Sequence, residues 1–189
     1  IHDSSAALLP YVRSLKKKFV LVSTGTWSIV FNPFTEKPIS DDIHDKDAIN
    51  YMRINGKPVK ATRMFLGNEY KVQVAKLDKK FGVSDDHNRN VKFNYDTYFE
   101  ITQDFKHCYK WESIIDEDMP EKTQISYHKY EHAYHQLMIE LVLIQIKWIK
   151  EAIGNDHIAR IYVDGGFSNN DIYIKLLSHY FRDKKLSTT

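Results

Sequence analysis

The stretch Ile161-Tyr162-Val163-Asp164-Gly165-Gly166-Phe167-Ser168-Asn169-Asn170 decides the fold of this chain. A run of apolar residues ends there at an acid and two glycines, and a helical pattern begins behind the asparagines. Glycines at the junction of a strand and a helix let the backbone approach a ligand, and the N-terminus of the helix favours anions. The stretch therefore predicts a strand, a nucleotide-binding turn and a helix, in that order.

A second junction with a glycine, Val22-Ser23-Thr24-Gly25-Thr26, lies near the start of the chain. The apolar residues before it predict a buried strand, and Ser23 to Thr26 predict a tight antiparallel turn. Two such turns in one chain indicate an enzyme that handles phosphate rather than a simple binding module.

Apolar runs and helical periodicity continue this pattern along the chain. Asn55-Gly56 predicts a β-hairpin, because Asn-Gly suits a two-residue turn with positive φ. A meander followed by helix, strand and helix predicts an α/β fold, with a mixed sheet flanked by helices. Strands are predicted over 19–23, 26–31, 51–54, 57–60 and 158–163, helices over 4–9, 67–80, 127–153 and 170–181, loops and short helices over 83–122, and irregular backbone over the last residues.

Composition excludes several classes of protein. The 189 residues carry a net charge of +2, and the lysines are scattered except for Lys16-Lys17-Lys18, so no nucleic-acid partner is expected. No segment is long and apolar enough to span a membrane, so no membrane association is expected. The single cysteine, Cys108, cannot form an internal disulfide, which favours a cytoplasmic location.

The histidines do not predict a metal site. His128 and His132 are one turn apart on the predicted helix but lack a third ligand, so we expect surface residues there. No metal-ligating residue is assigned.

Three segments together resemble the FGGY family of carbohydrate kinases. They are His2-Asp3-Ser4-Ser5-Ala6-Ala7, Ser23-Thr24-Gly25-Thr26-Trp27-Ser28 and Asp164-Gly165-Gly166-Phe167-Ser168-Asn169-Asn170. Their order and spacing resemble the C-terminal half of proteins of that family, and the residues of the first two segments are most similar to the rhamnulokinase branch.

The resemblance implies a fold of two actin-like (ribonuclease H-like) lobes that close on a cleft. Residues 1–189 would form the C-terminal, nucleotide-binding lobe. The resemblance also implies that an N-terminal lobe with most sugar contacts, and a last strand and helix beyond Thr189, are missing from this chain. The chain alone is therefore expected to be inactive, and the resemblance leaves open whether the protein is a homodimer.

For function, the resemblance implies ATP-dependent phosphorylation of a sugar hydroxyl, with ATP and Mg²⁺ as cofactors and a ketose or deoxyketose such as rhamnulose as substrate. It makes Asp3 the catalytic base, whereas the residues alone favour a helix N-cap at Asp3. The resemblance also places the family's nucleotide-binding positions. Thr24, Gly25 and Thr26 match its phosphate loop, Gly165 and Gly166 match its adenosine motif, and Asn170 matches its adenine-edge residue.

Other interpretations of these residues stay open. Thr24 to Thr26 also suit an ordinary hairpin turn, Gly165-Gly166 suit close packing between strand and helix, and Asp164 suits a role in holding that turn. A glycerol-kinase or xylulokinase type would share the motifs. The alternative outside sugar kinases is an actin-like or chaperone-type ATPase lobe that acts as a nucleotide-gated binding module.

Overall fold

A computed structural model of the chain describes residues 8–14, 17–35, 48–52, 56–114 and 122–189. The strands are β1 Phe19–Thr24, β2 Ser28–Asn32, β3 Ala48–Met52, β4 Pro58–Met64, β5 Arg160–Gly165 and β6 Lys185–Thr188. The helices are α1 Leu9–Ser14, α2 Leu66–Phe81, α3 Tyr95–Gln103, α4 Tyr130–Ile153 and α5 Asp171–Tyr180, with 3₁₀ turns at His87–Asn90 and Gly166–Asn169.

The strands of the described residues form one mixed sheet in the order β3-β4-β2-β1-β5-β6. The central strand β1 is antiparallel to β2 and parallel to β5, and its last residue, Thr24, lies opposite Ser28 and Gly165. Strands β4 and β3 extend the sheet in antiparallel fashion, and β6 lies parallel to β5. The two glycine-containing turns predicted from the sequence therefore lie side by side, at the ends of the neighbouring strands β1 and β5.

Helices α2, α4 and α5 cover one face of this sheet. Helix α4 contributes the largest share of the core, because nearly every turn of its 24 residues is apolar and buried. The other face carries a smaller aromatic cluster of Phe19, Phe31 and Tyr162, against which Tyr11 of α1 packs. The predicted fold class, a mixed sheet flanked by helices, is confirmed.

Two glycines end the long helices, close to the ends of the ranges predicted for them. Gly82 follows α2 with φ of 64°, and Gly154 follows α4 with φ of 53°. Glycine adopts positive φ without the penalty that a Cβ would bring, so each helix stops there at low cost. Among the described residues, no helix has the length and apolar character needed to cross a membrane.

The prediction for the last residues of the chain is wrong, whereas most of the helix predicted over 4–9 lies outside the described residues. The described helix α1 begins at Leu9 and ends at Ser14, with Pro10 in its first turn. Proline is tolerated there because the N–H that it lacks would have no intrahelical partner. The last residues, expected to be irregular, form the edge strand β6 beside β5.

The predicted hairpin is confirmed as β3 and β4, but its register differs by one residue. A two-residue turn at Asn55-Gly56 would place Tyr51 opposite Lys60, whereas the strands pair Tyr51 with Val59. A slip of one residue moves a side chain to the other face of a sheet. The observed register keeps Val59 and Tyr51 together against Phe31, whose ring centroid is 5.7 Å from that of Tyr51.

Two glutamate–glutamine pairs hold the segment 106–113 against the helices. Glu69 and Gln73 are one turn apart on α2, Gln136 and Glu140 are one turn apart on α4, and all four are at most 4 % exposed. Each glutamine donates to its glutamate and to a backbone carbonyl of the segment, and each glutamate accepts from backbone N–H groups there. These hydrogen bonds replace the water that a buried polar group would otherwise need.

Candidate functional site

The side chain of Thr24 joins the two predicted ligand-binding turns. Thr24 is 4 % exposed and ends β1. Its hydroxyl donates to the backbone oxygen of Asp164 at 2.6 Å and accepts from the backbone N–H of Phe167 at 3.0 Å. A hydroxyl that donates and accepts at once fixes two backbones relative to each other. Thr24 therefore serves the geometry of the site from a buried position.

Gly165 and Gly166 play different roles in the second turn. Gly165 has φ of 86°, and a Cβ at this residue would lie 1.8 Å from the backbone oxygen of Thr24. A Cβ at Gly166 would meet no atom within 4 Å, and the residue is exposed. Close packing between strands thus explains why residue 165 is glycine. The open space beside Gly166 is the part of the turn that a ligand can reach.

Asp164 holds this turn from within. One of its carboxylate oxygens, Oδ1, accepts from the backbone N–H of Gly165 at 2.7 Å. This contact gives Asp164 the turn-holding role that the sequence left open.

The first turn, Gly25-Thr26-Trp27, packs on the N-terminus of α2. The N–H of Gly25 donates to the oxygen of Trp27 at 2.8 Å, and the N–H of Asn68 donates to the oxygen of Thr26 at 3.1 Å. Gly25 and Thr26 are exposed, and a Cβ at Gly25 would meet only the oxygen of Trp27, at 3.8 Å. The exposed side of this turn is therefore open to a ligand.

Gly67 is a site residue that the sequence analysis missed. A Cβ at Gly67 would lie 1.8 Å from the oxygen of Gly25 and 3.2 Å from that of Thr26. Only a glycine lets the first turn of α2 approach the Gly25-Thr26 turn so closely. N–H groups in the first turn of a helix lack intrahelical partners, so this approach brings backbone donors to the predicted phosphate-binding turn. Local sequence shows Gly67 only as a helix start, because the contact spans distant residues.

Asn170 caps α5 and is already hydrogen-bonded through both ends of its amide. Its Oδ1 accepts from the N–H of Tyr173 at 3.0 Å, and its Nδ2 donates to the hydroxyl of Tyr134 at 2.8 Å. The predicted contact with an adenine edge would have to use the second N–H of the amide or the remaining lone pair of Oδ1. The capping role follows from local sequence, since Asn before a helical pattern is a preferred N-cap.

A chain of hydroxyl groups continues from Asn170 into α2. The Tyr134 hydroxyl lies 2.8 Å from that of Tyr70, which accepts from Nδ2 of Asn88 at 2.6 Å. Burial raises the pKa of both tyrosines above the ordinary value, so both hydroxyls keep their protons at neutral pH. These hydrogen bonds fix the side chain of Asn170 to helices α4 and α2.

Phe167 packs into the core beside this chain. Its ring stacks on Tyr173 with centroids 4.8 Å apart and meets the edge of Tyr70 at 4.9 Å. The side chain is 6 % exposed. Phe167 therefore anchors the 3₁₀ turn Gly166–Asn169 to α2 and α5.

An aromatic and cationic stack borders the first turn. The Trp27 ring, 43 % exposed, lies 4.6 Å from that of Phe65, centroid to centroid. The guanidinium carbon of Arg63, the penultimate residue of β4, lies 5.4 Å from the Trp27 centroid. We call these three residues the Trp27 stack.

The remaining site predictions fall elsewhere. Asp3 lies outside the described residues, so the structure does not place it. His128 precedes α4, which begins at Tyr130, so its predicted one-turn spacing to His132 is wrong. Within the described ranges, no group of three or more His, Cys, Asp or Glu side chains is placed to hold a metal ion.

A polar cleft of about 420 Å³ lies between the starts of α3 and α4, away from both turns. One of its histidines, His135, is 1 % exposed; its Nε2 accepts from the N–H of Asn94 at 2.9 Å, and its Nδ1 therefore carries the proton and donates to the backbone oxygen of Glu131 at 2.7 Å. Burial lowers the pKa of His135, and both ring nitrogens are engaged, so the ring is neutral. None of the predicted site residues that the structure describes lines this cleft.

Comparison with solved structures shows which proteins share this fold. No family model and no curated protein matches the sequence. Among solved structures, a carbohydrate kinase from Novosphingobium aromaticivorans is similar in fold, with a TM-score of 0.73 and 19 % sequence identity. The match covers 100 % of this chain and 41 % of the length of that kinase. The fold is that of one part of a carbohydrate kinase.

Two further structures show the same likeness. Xylulose kinase from Rhodospirillum rubrum matches 92 % of this chain and 35 % of its own, with a TM-score of 0.62 and 13 % identity. Plasmodium falciparum glycerol kinase with ADP matches 89 % of this chain and 34 % of its own, with a TM-score of 0.51 and 14 % identity. The chain thus spans well under half the length of these kinases.

Proposed function

We propose that this chain is the nucleotide-binding lobe of a carbohydrate kinase, which transfers the terminal phosphoryl group of ATP to a sugar hydroxyl. A rhamnulose-type deoxyketose is the proposed acceptor, because the sequence motifs of this chain resemble those of the rhamnulokinase branch. The acceptor would be held by a second lobe, which the length of the similar kinases suggests. Both the activity and the partner lobe are proposals for the whole protein.

The observation that carries the proposal is the meeting of two open glycine turns at the ends of neighbouring strands. Thr24 and Gly165 are paired across β1 and β5, and Thr24 bonds to both sides of the second turn. Gly25 and Gly166 each leave free space beside their backbone. Phosphate binds well where exposed backbone N–H groups converge near a helix N-terminus, and Gly67 brings α2 to that place.

In this proposal, the turn after β1 binds the phosphates of the nucleotide, and the turn after β5 contacts its adenosine part. Thr26 and the first turn of α2 donate hydrogen bonds from hydroxyl and backbone N–H groups to the phosphates, and Gly25 leaves room for the phosphates beside the turn. Gly166 and Asn170 face the adenosine. ATP supplies the phosphoryl group, and Mg²⁺ offsets its charge. Asp3 accepts the proton of the attacking hydroxyl, so that no free alkoxide has to form. Positioning and charge stabilisation account for most of the catalysis in such transfers.

Nucleotide binding and acceptor-dependent turnover test the two halves of the proposal. The full-length protein would be titrated calorimetrically with ATP and ADP in the presence of Mg²⁺. ADP release would then be coupled to a spectrophotometric assay with rhamnulose, xylulose and glycerol as acceptors. The proposal expects nucleotide binding and turnover that depends on one of these hydroxyl compounds.

Other results would favour another function. Turnover of ATP without any hydroxyl acceptor would indicate an actin-like or chaperone-type ATPase. Turnover with xylulose or glycerol but not rhamnulose would keep the kinase and replace the acceptor. Absence of nucleotide binding by the folded protein would overturn the proposal.

A further inference from the structure

We propose that Arg63, held on the ring of Trp27, binds the phosphate chain of the nucleotide and sets the preference of the site for phosphorylated over unphosphorylated ligands. This inference rests on the proposed function, because it assigns one more residue to the same site. The residue lies in β4, outside the three segments that carry the resemblance.

The Trp27 stack fixes where the guanidinium of Arg63 lies. A guanidinium over an indole face is attracted by the ring's quadrupole, and its planar shape packs flat on the ring. The Arg63 carbon is 5.4 Å from the Trp27 centroid, and Phe65 supports the ring from 4.6 Å. The cation is therefore partly ordered before any ligand arrives, which lowers the entropy cost of binding one.

The stack lies directly beside the predicted phosphate-binding turn. Trp27 follows Thr26 in the chain and accepts a hydrogen bond from the N–H of Gly25 through its backbone oxygen. Arg63 lies opposite Ile29 across β2 and β4, so reaching the Trp27 ring carries its side chain toward the turn. Phe65 immediately precedes α2, whose first turn packs on Gly25.

The charge of Arg63 is not offset within the described part of the chain. Lys60 on the same strand pairs with Glu151 at 2.8 Å, but no carboxylate of the described residues lies within ion-pair distance of Arg63. An exposed cation beside the N-terminus of a helix makes a local field that favours an anion. Arginine also matches phosphate oxygens with two parallel N–H donors.

The test compares ligands that differ only in phosphate. ADP and adenosine would be titrated into the full-length protein, its Arg63→Ala variant and its Arg63→Lys variant. Loss of a charged hydrogen bond lowers affinity by about tenfold or more. We expect Arg63→Ala to lower ADP affinity by about that factor and to leave adenosine affinity unchanged, with Arg63→Lys in between because lysine keeps the charge but not the stacked fork.

Two further variants control for charge and for placement. Arg182→Ala removes the same charge from an exposed residue just beyond α5, at the end of that helix away from Asn170, and should leave ADP affinity unchanged. Trp27→Leu should weaken ADP binding, and the double variant with Arg63→Ala should lose little more, because the ring acts through the cation.

Each outcome decides one of the two proposals. If the wild-type protein binds no ADP, the nucleotide site itself is wrong. If the wild type binds ADP and Arg63→Ala binds it equally well, or loses adenosine and ADP affinity alike, Arg63 has no phosphate-binding role and this inference is overturned while the nucleotide site stands.

Discussion

The hydroxyl of Thr24 accepts a hydrogen bond from the backbone N–H of Phe167 at 3.0 Å, although the two residues are 143 positions apart in the sequence. The same hydroxyl donates to Asp164. One buried side chain thus ties the hairpin turn after β1 to the 3₁₀ turn after β5.

Thr24→Val should destabilise the fold. Valine has nearly the shape of threonine, so packing survives while a buried carbonyl and a buried N–H lose their partner. We expect the free energy of unfolding to fall by about 1–3 kcal/mol, measured by urea denaturation. Thr24→Ser should restore most of it. Thr26→Val, in the exposed part of the same turn, should change stability little, and equal losses in both variants would contradict the role of Thr24.

Gly67→Ala should destabilise the protein although alanine favours helices. Its Cβ would collide with the backbone oxygen of Gly25 at 1.8 Å, so α2 or the turn must move. Overpacking of this kind costs about 1–3 kcal/mol, which thermal or urea unfolding would detect. Gly166→Ala is the matched control, because its Cβ meets open space. A stable Gly67→Ala protein would mean that α2 shifts without cost.

Gly166→Val should weaken ATP binding while the protein stays folded and sugar binding is kept. The new side chain would fill the space that the proposed adenosine occupies and displace the nucleotide from the turn. Separate calorimetric titrations of the full-length variant with ATP and with sugar would measure this. Ala159→Val, exposed and just before β5, serves as the control. Unchanged ATP affinity would assign the open space beside Gly166 to no ligand.

Asp3→Asn in the full-length protein should lower the turnover rate by about 10²–10⁴ and leave ATP affinity nearly unchanged. The amide has almost the same shape as the carboxylate but cannot accept the proton of the acceptor hydroxyl. Steady-state kinetics beside ATP titration would separate the two effects. A variant that keeps most of its rate would make Asp3 a helix cap.

His135 should make the protein less stable as the pH falls below neutral. Its pKa is lowered in the folded state by burial, so the unfolded chain binds the proton more readily. The stabilisation is complete above the ordinary histidine pKa of 6.5 and is lost as pH falls toward the lower folded pKa. His135→Gln should therefore show a smaller loss of unfolding free energy between about pH 7.5 and 5.5.

The exposed His157 provides the control for that measurement. His157→Gln should keep the wild-type dependence of stability on pH. If His135→Gln also keeps it, the buried ring does not contribute to the acid sensitivity.

The elements that the sequence predicted well are those whose signals are local. The apolar run of β1, the long apolar stripe of α4 and the glycines at 82 and 154 each carry their own pattern. Strand β6 was missed because its four residues are mostly polar, and only pairing with β5 makes them a strand. Edge strands of this kind have little hydrophobic pattern to read.

The candidate site divides in the same way. The glycine turns could be found from sequence, since glycines between a strand and a helix are a local signal. The role of Gly67 and the placement of Arg63 on Trp27 depend on contacts between separate elements. These contacts cannot be predicted from local sequence, because the residues involved are far apart in the chain. The pairing of β2 with β4 brings those residues together.

The backbone contact between Gly67 and Gly25 also sets a rule for combinatorial mutagenesis. A library randomised at residue 67 and screened for folding alone should return almost only glycine, because no rotamer change can relieve a collision between a Cβ and a carbonyl. A library randomised at residue 166 should return many residue types in the same screen and narrow only when ligand binding is also selected. Sequencing both pools would separate the demands of packing from those of recognition, without any assay of catalysis.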